Sequence, residues 1–363
     1  MELSEIVELR PEPAAGLLVA LTRRCPLSCA HCSTASTMDS PDHPNGPRRT
    51  QLLRFVRSFT PEQRPEALLL TGGEPLLLPG LVHELTRAAQ AAGSRVALLS
   101  GLFFARGGGP VPATILRAIT ALDHFSASLD APHEREVPRA AVFRVLARVL
   151  DAGVPVSLHL TGTGPEDPYL AEATDAVLRE FGARVPMLVN EVRPVGRARS
   201  LPPRAVGGVP HAPAFAPGRG GPCAMAAWPA IAPDGTVVAC CNQQAVDRRP
   251  VPPHLRLGHL AEDDWPAIRR RTLDSPRLRL IRTLGPDRLR ARHGAEPAPG
   301  GYCGGCHALP ERPGADDLAA AGPAGRLLDQ LTAARRRAEG PAALLRHYGC
   351  APYAHLVRPG ATT

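Results

Sequence analysis

The sequence contains no lysine, and this absence affects how its charge is interpreted. All 42 basic residues of the 363-residue chain are arginine, and with 34 acidic residues they give a formal net charge of +8. A basic chain raises nucleic acid as a partner, because clustered cations release phosphate counterions on binding. Aromatic residues make up only 4% of the chain, so stacking surface for single strands is scarce. Codon usage in a GC-rich genome explains the arginine better, and we predict no nucleic-acid partner.

Long apolar runs are also missing. The longest candidate, LLVAL at residues 17–21, has the length of a strand, whereas a membrane helix needs about 18 or more apolar residues. The N-terminal segment, MELSEIVEL, is acidic where a secretory signal would be basic. The sequence therefore predicts a cytoplasmic protein with no membrane partner. In that compartment nine cysteines at tight spacings argue against a disulfide framework and indicate metal or cluster sites instead.

The first 200 residues alternate short apolar segments with helical patterns. Six segments have the length and composition of strands, and each but the last is followed by a helical pattern. These strands are LLVALT (17–22), EALLLTGG (66–73), RVALLS (95–100), HFSASLD (124–130), PVSLHLTG (155–162) and VPMLVNEV (185–192). The alternation calls for a parallel sheet with right-handed crossovers. We therefore predict an α/β fold, an open, partial (β/α)6 TIM-like barrel, with its chemistry at the carboxyl ends of the strands.

Composition divides the chain into four predicted parts. After a barrel of residues 1–200, residues 201–222 are rich in proline and glycine and are predicted to be a linker. Residues 223–309 hold five further cysteines and are predicted to form a small second domain. Residues 310–363 are predicted to be a helical tail, with helices at 324–338 and 341–348.

Three cysteines follow the first predicted strand within eight residues. Cys25, Cys29 and Cys32 lie in CPLSCAHC, and the next cysteine in the chain is Cys223. A [4Fe–4S] cube has four irons, and each needs an external ligand, normally a thiolate. Three thiolates therefore leave one iron open, much as an open position separates catalytic from structural zinc. The alternative is a zinc site that these cysteines complete with His31 or a distant ligand.

The motif GGEP follows the second predicted strand, and it comprises Gly72, Gly73, Glu74 and Pro75. Together with the cysteine loop it resembles the radical S-adenosylmethionine (radical SAM) superfamily. The resemblance implies that the open iron chelates the amino and carboxylate groups of S-adenosylmethionine. It also implies that an electron from the cluster splits this cofactor into a 5′-deoxyadenosyl radical, which abstracts hydrogen from a C–H bond.

The same resemblance implies which residues contact the cofactor. Paired glycines let the backbone approach a ligand closely, which suits capture of the methionine ammonium, and the Glu74 carboxylate would orient that turn. The cofactor contacts implied by the resemblance are Gly72, Gly73, Glu74, Ser100, Ser128 and Asp130. His159 and Asn190 end later strands and are expected to face the bore of the barrel. His31 occupies a position that is commonly aromatic in the family, and we expect it to stack on adenine.

A second group of cysteines lies downstream. Cys223 precedes a PDG turn between two predicted strands, Cys240 follows that turn, and Cys303 and Cys306 form a C-x2-C pair. The pattern is similar to the C-terminal auxiliary-cluster domains called SPASM and twitch, and it implies one auxiliary [4Fe–4S] cluster on these four thiolates. No further cysteine follows soon after the C-x2-C pair, which favours the shorter, twitch-like form. Four thiolates on two hairpin-like turns also suit structural zinc.

Three other features complete the candidate site. Arg197, in RPVGRA (193–198), is similar to an arginine that such enzymes place beside the cofactor. Cys241 and Cys350 are either small buried side chains or catalytic hydrogen-atom donors that quench a substrate radical, as in some twitch-type epimerases. Strand alternation is expected to aim Cys241 away from Cys240. The two tryptophans, Trp228 and Trp265, are expected in the core.

Three functions follow from these interpretations. The first is cross-linking, oxidation or epimerisation of a ribosomally synthesised peptide. The second is dehydrogenation or epimerisation of a small polar metabolite, such as an aminocyclitol or sugar of antibiotic biosynthesis. The third is a non-catalytic zinc or iron–sulfur protein. Either enzyme would need an external one-electron donor of the flavodoxin or ferredoxin type, and the first also a separate leader-peptide-binding protein.

Overall fold

The fold is built on one mixed sheet, seen here in a computed structural model. The structure describes residues 1–41, 47–202, 221–295, 298, 301–310 and 314–358. Nine strands of these residues form the sheet in the order β6-β5-β4-β3-β2-β1-β7-β8-β9. The first six are Gly16–Ala20 (β1), Ala67–Thr71 (β2), Arg95–Ser100 (β3), His124–Ser128 (β4), Val156–Gly162 (β5) and Met187–Glu191 (β6). All five pairs among them are parallel, so the predicted partial (β/α)6 barrel is confirmed.

Helices cover the outer face of the parallel strands. Those of the barrel region are Leu3–Glu8 (α1), Pro47–Val56 (α2), Pro79–Ala91 (α3), Ala113–Thr120 (α4), Ala131–Glu134 (α5), Arg139–Asp151 (α6) and Pro168–Phe181 (α7). Helix α7 shows why these segments are helical. The Asp167 side chain accepts a hydrogen bond from the N–H of Tyr169, and Pro168 fills the first turn. Leu170, Ala173 and Val177 then give one buried stripe.

The inner face of the sheet carries polar side chains at β4, β5 and β6. The register pairs Ser128 with His159 and Thr161 with Asn190, so these four side chains share one face. All four are half-buried, whereas the intervening Leu158 and Leu160 are fully buried. The placement of His159 and Asn190 on a common inner face agrees with the sequence expectation.

The second cysteine region joins this same sheet. Its strands are Ala230–Ile231 (β7), Thr236–Val238 (β8) and Arg256–His259 (β9). Strand β7 pairs in parallel with β1, and it forms an antiparallel hairpin with β8 through the predicted PDG turn. Gly235 in this turn has φ +91°, a conformation that favours glycine. A short helix, Gln243–Asp247 (α8), follows the hairpin.

Seven further α-helices follow in the described part of the chain. They are Trp265–Asp274 (α9), Pro276–Thr283 (α10), Pro286–Arg292 (α11), Gly301–His307 (α12), Ala315–Ala320 (α13), Pro323–Ala338 (α14) and Pro341–Tyr348 (α15). The two tail helices predicted from sequence, now α14 and α15, are confirmed to within one residue at each end. Trp228 and Trp265 are both 0% exposed, so their core placement is also confirmed.

Helix α10 docks the tail through buried arginines. Arg277 lies 3.0 Å from Asp317 of α13, and Arg282 lies 2.6 Å from Asp329 of α14. Arg279 donates to the carbonyl of Ala321 between those two helices. All three arginines are at most 4% exposed. Because a buried charge is tolerated only when it is paired and hydrogen-bonded, these contacts fix the position of the tail.

The tail also covers the outer edge of the barrel at β6. The N–H of Cys350 donates to the carbonyl of Val189 at 2.9 Å, and Arg193 donates to the carbonyl of Tyr348 at 3.3 Å. A guanidinium–carboxylate contact between Arg358 and Glu8 joins the tail to α1. Covering the edge in this way blocks pairing of β6 with another chain.

Residues 203–220 of the predicted linker lie outside the described residues, and the domain boundaries stay predictions. None of the helices in the described ranges combines the length and apolar character needed to cross a bilayer.

Candidate functional site

The three clustered cysteines lie on the loop that leaves the carboxyl end of β1. All three are free thiols and half-buried. A tight turn joins two of them, with the N–H of Cys32 donating to the carbonyl of Cys29 at 3.1 Å. The Cys25 thiol accepts from the N–H of Leu27 at 3.4 Å. Local backbone turns therefore bring the three thiols together on one short loop.

The electrostatics of these thiols suit binding to a cationic centre. Burial raises the pKa of Cys25 to about 11 and that of Cys29 to about 12. The negative charges of Glu74 near Cys25 and of Asp130 near Cys29 raise these pKa values further, as do the neighbouring thiols. Metal binding replaces the proton of such a thiol and relieves this repulsion. The donor set therefore fits a cluster held by three thiolates.

Arg197 clamps the cysteine loop from the segment after β6. Its Nε donates to the carbonyl of Cys29 at 2.9 Å, and its Nη1 donates to the carbonyl of Ser36 at 2.5 Å. Its backbone N–H donates to the carbonyl of Cys32 at 2.9 Å. At the preceding residue, Gly196, a Cβ would lie 2.3 Å from the Ser33 carbonyl oxygen. The structure thus places Arg197 on the backbone of the loop, and its contact with the cofactor stays a prediction.

A second clamp holds the tip of the same loop. The hydroxyl of Ser28 donates to Glu136 at 2.8 Å, and its backbone N–H donates to the same carboxylate at 3.2 Å. Arg106 pairs with Glu136 and also donates to the carbonyl of Pro26 at 3.3 Å. These hydrogen bonds, led by that of the Ser28 hydroxyl, lower the pKa of Glu136. Neither Arg106 nor Glu136 lies in a motif, so this clamp was not predictable from the sequence.

The GGEP turn after β2 packs on the start of the cysteine loop. A Cβ on Gly72, whose φ is +132°, would lie 2.5 Å from the Thr22 carbonyl oxygen. A Cβ on Gly73 would lie 2.3 Å from the Arg24 carbonyl oxygen. The sequence argument expected the glycines to admit a ligand. In the structure they admit the backbone of the cysteine loop, and their contact with the cofactor stays a prediction.

Glu74 and Ser100 join the carboxyl ends of β2 and β3. The fully buried Glu74 carboxylate accepts from the Leu76 N–H, the Ser100 hydroxyl and the Gly101 N–H, each at 2.9 Å. Burial nevertheless raises the pKa of Glu74 to about 7. These contacts give both side chains a defined role in holding the site together. Their predicted contact with the cofactor is untested.

Asp130 positions the histidine that precedes the third cysteine. One Asp130 oxygen accepts from the N–H of His133 at 2.9 Å and caps α5, and the other lies 3.0 Å from Nε2 of His31. The Nδ1 atom of His31 is buried and has no hydrogen-bond partner among the described residues. Because an unpaired buried nitrogen is costly, this position fits a bound group that supplies the missing partner. Ser128, at the end of β4, faces the interior next to His159.

The second cysteine set is assembled from separate elements. Cys223 precedes a short 3-10 helix, Cys240 follows β8, and Cys303 and Cys306 lie on α12. The expectation that the C-x2-C pair lies on a hairpin-like turn is therefore wrong, because helix α12 places its two cysteines three residues apart, on neighbouring turns. The charge of Cys223 raises the pKa of both α12 thiols, which burial already raises more strongly. Burial likewise raises the pKa of Cys240, and the charges of Cys223 and Cys303 raise it further, so the four thiols are close neighbours, and all are half-buried.

Three polar side chains surround this second set. Asn242 donates from Nδ2 to the Cys303 thiol at 3.8 Å, and Nε2 of His254 lies 3.9 Å from the Cys306 thiol. The hydroxyl of Tyr302 donates to the carbonyl of Gly221 at 2.6 Å, beside Cys223. Isolated residues of this kind are supplied by tertiary packing, and the sequence analysis missed all three.

The two remaining cysteines have different surroundings. Cys241 contacts the guanidinium of Arg10, which stacks 4.6 Å from the ring of Trp228. Cys240 and Cys241 pack against different apolar clusters, as expected from strand alternation. Cys350 is 1% exposed within the main core, and burial raises its pKa to about 11. Hydrogen donation by either cysteine stays a prediction.

Single metal ions are a separate question. Within the described ranges, no group of three His, Cys, Asp or Glu side chains has the geometry to hold one ion. A four-iron cluster spaces its thiolates more widely than a single ion does, so this observation leaves cluster binding open.

Comparison with known proteins identifies the barrel region. Residues 19–176 match the model of the Radical SAM superfamily. The PqqA peptide cyclase of Ruegeria pomeroyi is 32% identical over 161 residues, which cover 41% of this chain and 40% of that protein. The similarity therefore spans less than half of that relative's length.

Two solved structures that match parts of this chain share little sequence with it. Native anSMEcpe with bound AdoMet and Kp18Cys peptide has a TM-score of 0.46 and 12% identity, covering 70% of this chain and 79% of that one. BtrN in complex with AdoMet and 2-DOIA has a TM-score of 0.34 and 13% identity, covering 70% of this chain and 81% of that one.

The family match begins inside β1 and extends into α7. It therefore includes the cysteine loop, the GGEP turn and the ends of β2 to β5, which the structure brings together. Residues 19–176 of this chain are a radical SAM domain.

Proposed function

We propose that this chain is a radical SAM enzyme that modifies a ribosomally synthesised peptide by cross-linking, oxidation or epimerisation. The carrying observation is the three-thiol loop after β1, which lies beside the GGEP turn within a radical SAM domain. In this proposal Cys25, Cys29 and Cys32 hold a [4Fe–4S] cluster and leave its fourth iron for S-adenosylmethionine. When bound, these groups supply the radical that abstracts hydrogen from the substrate.

The chain's own residues fix the geometry of that site. Arg197 and Glu136 hold the cysteine loop from two sides through five hydrogen bonds. Glu74 and Ser100 keep the ends of β2 and β3 together, which fixes the GGEP turn against the loop. Rigid positioning of this kind is the protein's main contribution when a cofactor carries the chemistry.

The inner face of the barrel supports a substrate with neutral polar groups. Burial lowers the pKa of His159 to about 4, so its imidazole is neutral at physiological pH. With Ser128, Thr161 and Asn190 it forms a row of hydrogen-bonding groups without charge. Peptide amides match such a row. The name of the similar protein, PqqA peptide cyclase, also favours a peptide.

The second cysteine set has a separate role in the proposal. Cys223, Cys240, Cys303 and Cys306 would hold a twitch-like auxiliary [4Fe–4S] cluster with no open iron. Such a cluster suits acceptance of an electron from the substrate, which gives net oxidation. Hydrogen donation by Cys241 or Cys350 would give epimerisation instead. An external flavodoxin or ferredoxin and a separate leader-peptide-binding protein complete the proposed partners.

The class of chemistry can be tested under anaerobic conditions. Reconstituted protein with dithionite and S-adenosylmethionine is expected to form 5′-deoxyadenosine, measured by liquid chromatography. Replacing Cys25, Cys29 and Cys32 together by alanine should abolish this product, because the cluster loses every protein ligand. Cys350→Ala is the matched control and should retain cleavage. Equal product from the triple variant would contradict the proposed cofactor site.

The substrate class needs its own experiment. The chain would be incubated with short peptides encoded beside its gene, in D₂O, and the products analysed by mass spectrometry. Loss of hydrogen indicates oxidation or cross-linking, and uptake of deuterium at an α-carbon indicates epimerisation. Turnover of an aminocyclitol or sugar, with all such peptides unchanged, would favour the alternative function in metabolite oxidation or epimerisation.

A further inference from the structure

Helix α14 exposes an unusual amount of apolar surface. Leu327 is 57% exposed, Leu328 is 47% exposed and Leu331 is 57% exposed. Among the described residues only Met38 and Leu318 are other large hydrophobic side chains with comparable exposure. Contiguous exposed apolar patches on a soluble protein mark interaction sites more often than accident.

The exposed leucines form one face of the helix. Gly325, Asp329 and Ala333 repeat every four residues and are buried on its inner side. A rotation of about 100° per residue places Leu327 and Leu331 on the opposite side. Ala334 and Ala338 are exposed and continue that row toward the end of the helix. We call Leu327, Leu328, Leu331, Ala334 and Ala338 the α14 outer face.

The charges beside this face are mainly positive, and Glu339, which directly follows the helix, pairs with Arg335. Helix α14 contains a single carboxylate, Asp329, and it is buried in the pair with Arg282. Arg326, Arg335 and Arg337 are exposed. Helical geometry places Arg326 and Arg337 on one side of the leucine row and Arg335 on the other. The α14 outer face is therefore an apolar stripe flanked by arginine on both sides.

Charge complementarity selects the occupant. Two copies of this chain packed through the α14 outer face would bring these arginines together in a protein that already carries a net charge of +8. An acidic partner would instead gain attraction, mainly on the flank that carries Arg326 and Arg337. We propose that the α14 outer face docks an amphipathic helix of an acidic partner protein, with apolar side chains on the leucine row and carboxylates beside the arginines.

The inner side of α14 connects this surface with the second cysteine set. Arg336 donates to the carbonyl of Pro222 at 3.1 Å and to the Tyr348 hydroxyl at 2.9 Å. That hydroxyl accepts from the N–H of Ala224 at 3.1 Å. Arg336 of α14 thus holds the backbone before Cys223 directly, and it holds the backbone after Cys223 through Tyr348 of α15. The proposal is independent of the peptide-modifying function.

The test uses the full chain and two synthetic peptides. Both peptides carry leucine at helical i, i+3, i+4 and i+7 spacing; one has glutamate on its flanks and the other has lysine. Fluorescence anisotropy should show binding of the glutamate peptide, weakening as salt rises, and no binding of the lysine peptide. L327S/L331S should weaken binding about tenfold or more. Gln330→Ser, on the same helix beside the stripe, should leave binding unchanged.

A second variant helps to separate loss of peptide binding from loss of folding. R326Q/R335Q/R337Q should weaken binding of the glutamate peptide and remove most of its salt dependence, because these arginines supply the attraction. Circular dichroism would show whether each variant is folded. Equal binding of the two peptides would overturn the proposal, as would undiminished binding by both folded variants. Self-association of the intact chain that L327S/L331S abolishes would identify a second copy as the occupant and also overturn it.

Discussion

The two cysteine sets of this protein are built in different ways. Cys25, Cys29 and Cys32 lie on one loop, whose shape is set by its own turns and by two clamps on its backbone. Cys223, Cys240 and the α12 pair come from separate elements and meet only when those elements pack. The ligands of the first set are therefore adjacent in the sequence and distant residues only clamp their loop, whereas the second set is brought together by the tertiary structure of the C-terminal region.

The forces that hold the two regions also differ. Apolar strands and helix faces form the core of the barrel, with Leu158 and Leu160 fully buried. In the C-terminal region, three buried arginines of α10 attach the tail. An apolar core loses only a little stability when one apolar side chain replaces another of similar volume. Removal of one partner from a buried ion pair costs much more stability, because the other charge stays buried without compensation.

The largest expected effect separates the two sets directly. C303S/C306S should lower the iron content by about one cluster's worth, because the second set loses two of four ligands. Formation of 5′-deoxyadenosine should persist, since the loop after β1 is untouched. Iron analysis and the cleavage assay measure the two outcomes. An unchanged iron content would argue for zinc or no metal at the second set, and lost cleavage would show that the sets depend on each other.

The next effect tests the buried ion pairs. Asp329→Ala leaves Arg282 buried without its carboxylate and should lower the free energy of unfolding by about 3–5 kcal/mol. Urea unfolding followed by circular dichroism measures this change. Glu339→Gln is the matched control, because its partner Arg335 has an 83% exposed side chain. That control should change stability by less than about 0.5 kcal/mol. Similar effects from both substitutions would remove the energetic contrast between the regions.

The barrel has a buried titratable group of its own. His124 lies with Nε2 2.8 Å from the Ser157 hydroxyl, and burial lowers its pKa to about 3. In the unfolded chain a histidine binds a proton with a pKa near 6.5. The neutral, buried His124 therefore costs no stability above that pH. As the pH falls from about 6.5 toward 3, only the unfolded chain gains this proton, so the free energy of unfolding falls by up to about 1.4 kcal/mol per pH unit.

His124→Gln removes this titration. Urea unfolding at several pH values between about 7 and 4 should show a flatter pH dependence for the variant than for the unsubstituted chain. The same slope in both proteins would show that other groups cause the acid sensitivity of the barrel.

The smallest expected effect concerns the clamp on the cysteine loop. Arg197→Gln loses the guanidinium contacts to the carbonyls of Cys29 and Ser36. We expect cofactor cleavage to slow about tenfold, equivalent to about 1.4 kcal/mol. The electron paramagnetic resonance signal of the reduced cluster should also broaden, which reports on the position of the loop. Arg199→Gln, an exposed arginine two residues away, is the control. A normal signal and normal rate would show that the clamp is dispensable.

Much of the barrel follows from local sequence patterns. The third predicted strand, 95–100, coincides with β3, because a strand buried on both faces leaves a continuous apolar run between polar turns. The cysteine loop and GGEP also lie directly after β1 and β2, as the sequence predicted, and their roles in binding a cofactor stay predictions. Sequence patterns predict the ends of strands less accurately than their existence. The first predicted strand, 17–22, is displaced from Gly16–Ala20 by one residue at its start and two at its end.

Other features arise only from contacts between distant parts of the chain. The segment GYCGGCH contains three glycines, which favour a turn, yet it forms α12 because tertiary packing overrides weak local propensity. Glu136 binds Ser28 across 108 residues, and no periodicity encodes such a pair. Likewise, arginines such as Arg282 resemble surface residues in sequence, and only the position of Asp329 makes their burial possible.

Strand β1 serves both cysteine sets at once. The loop of the first set leaves its carboxyl end, and β7, which lies between Cys223 and Cys240, is hydrogen-bonded along its edge, with Leu18 opposite Ala230. A hinge motion at this point would have to break the hydrogen bonds between β1 and β7. The hairpin that separates Cys223 from Cys240 is consequently an extension of the barrel sheet, so this part of the second set moves with the barrel rather than as a separate domain.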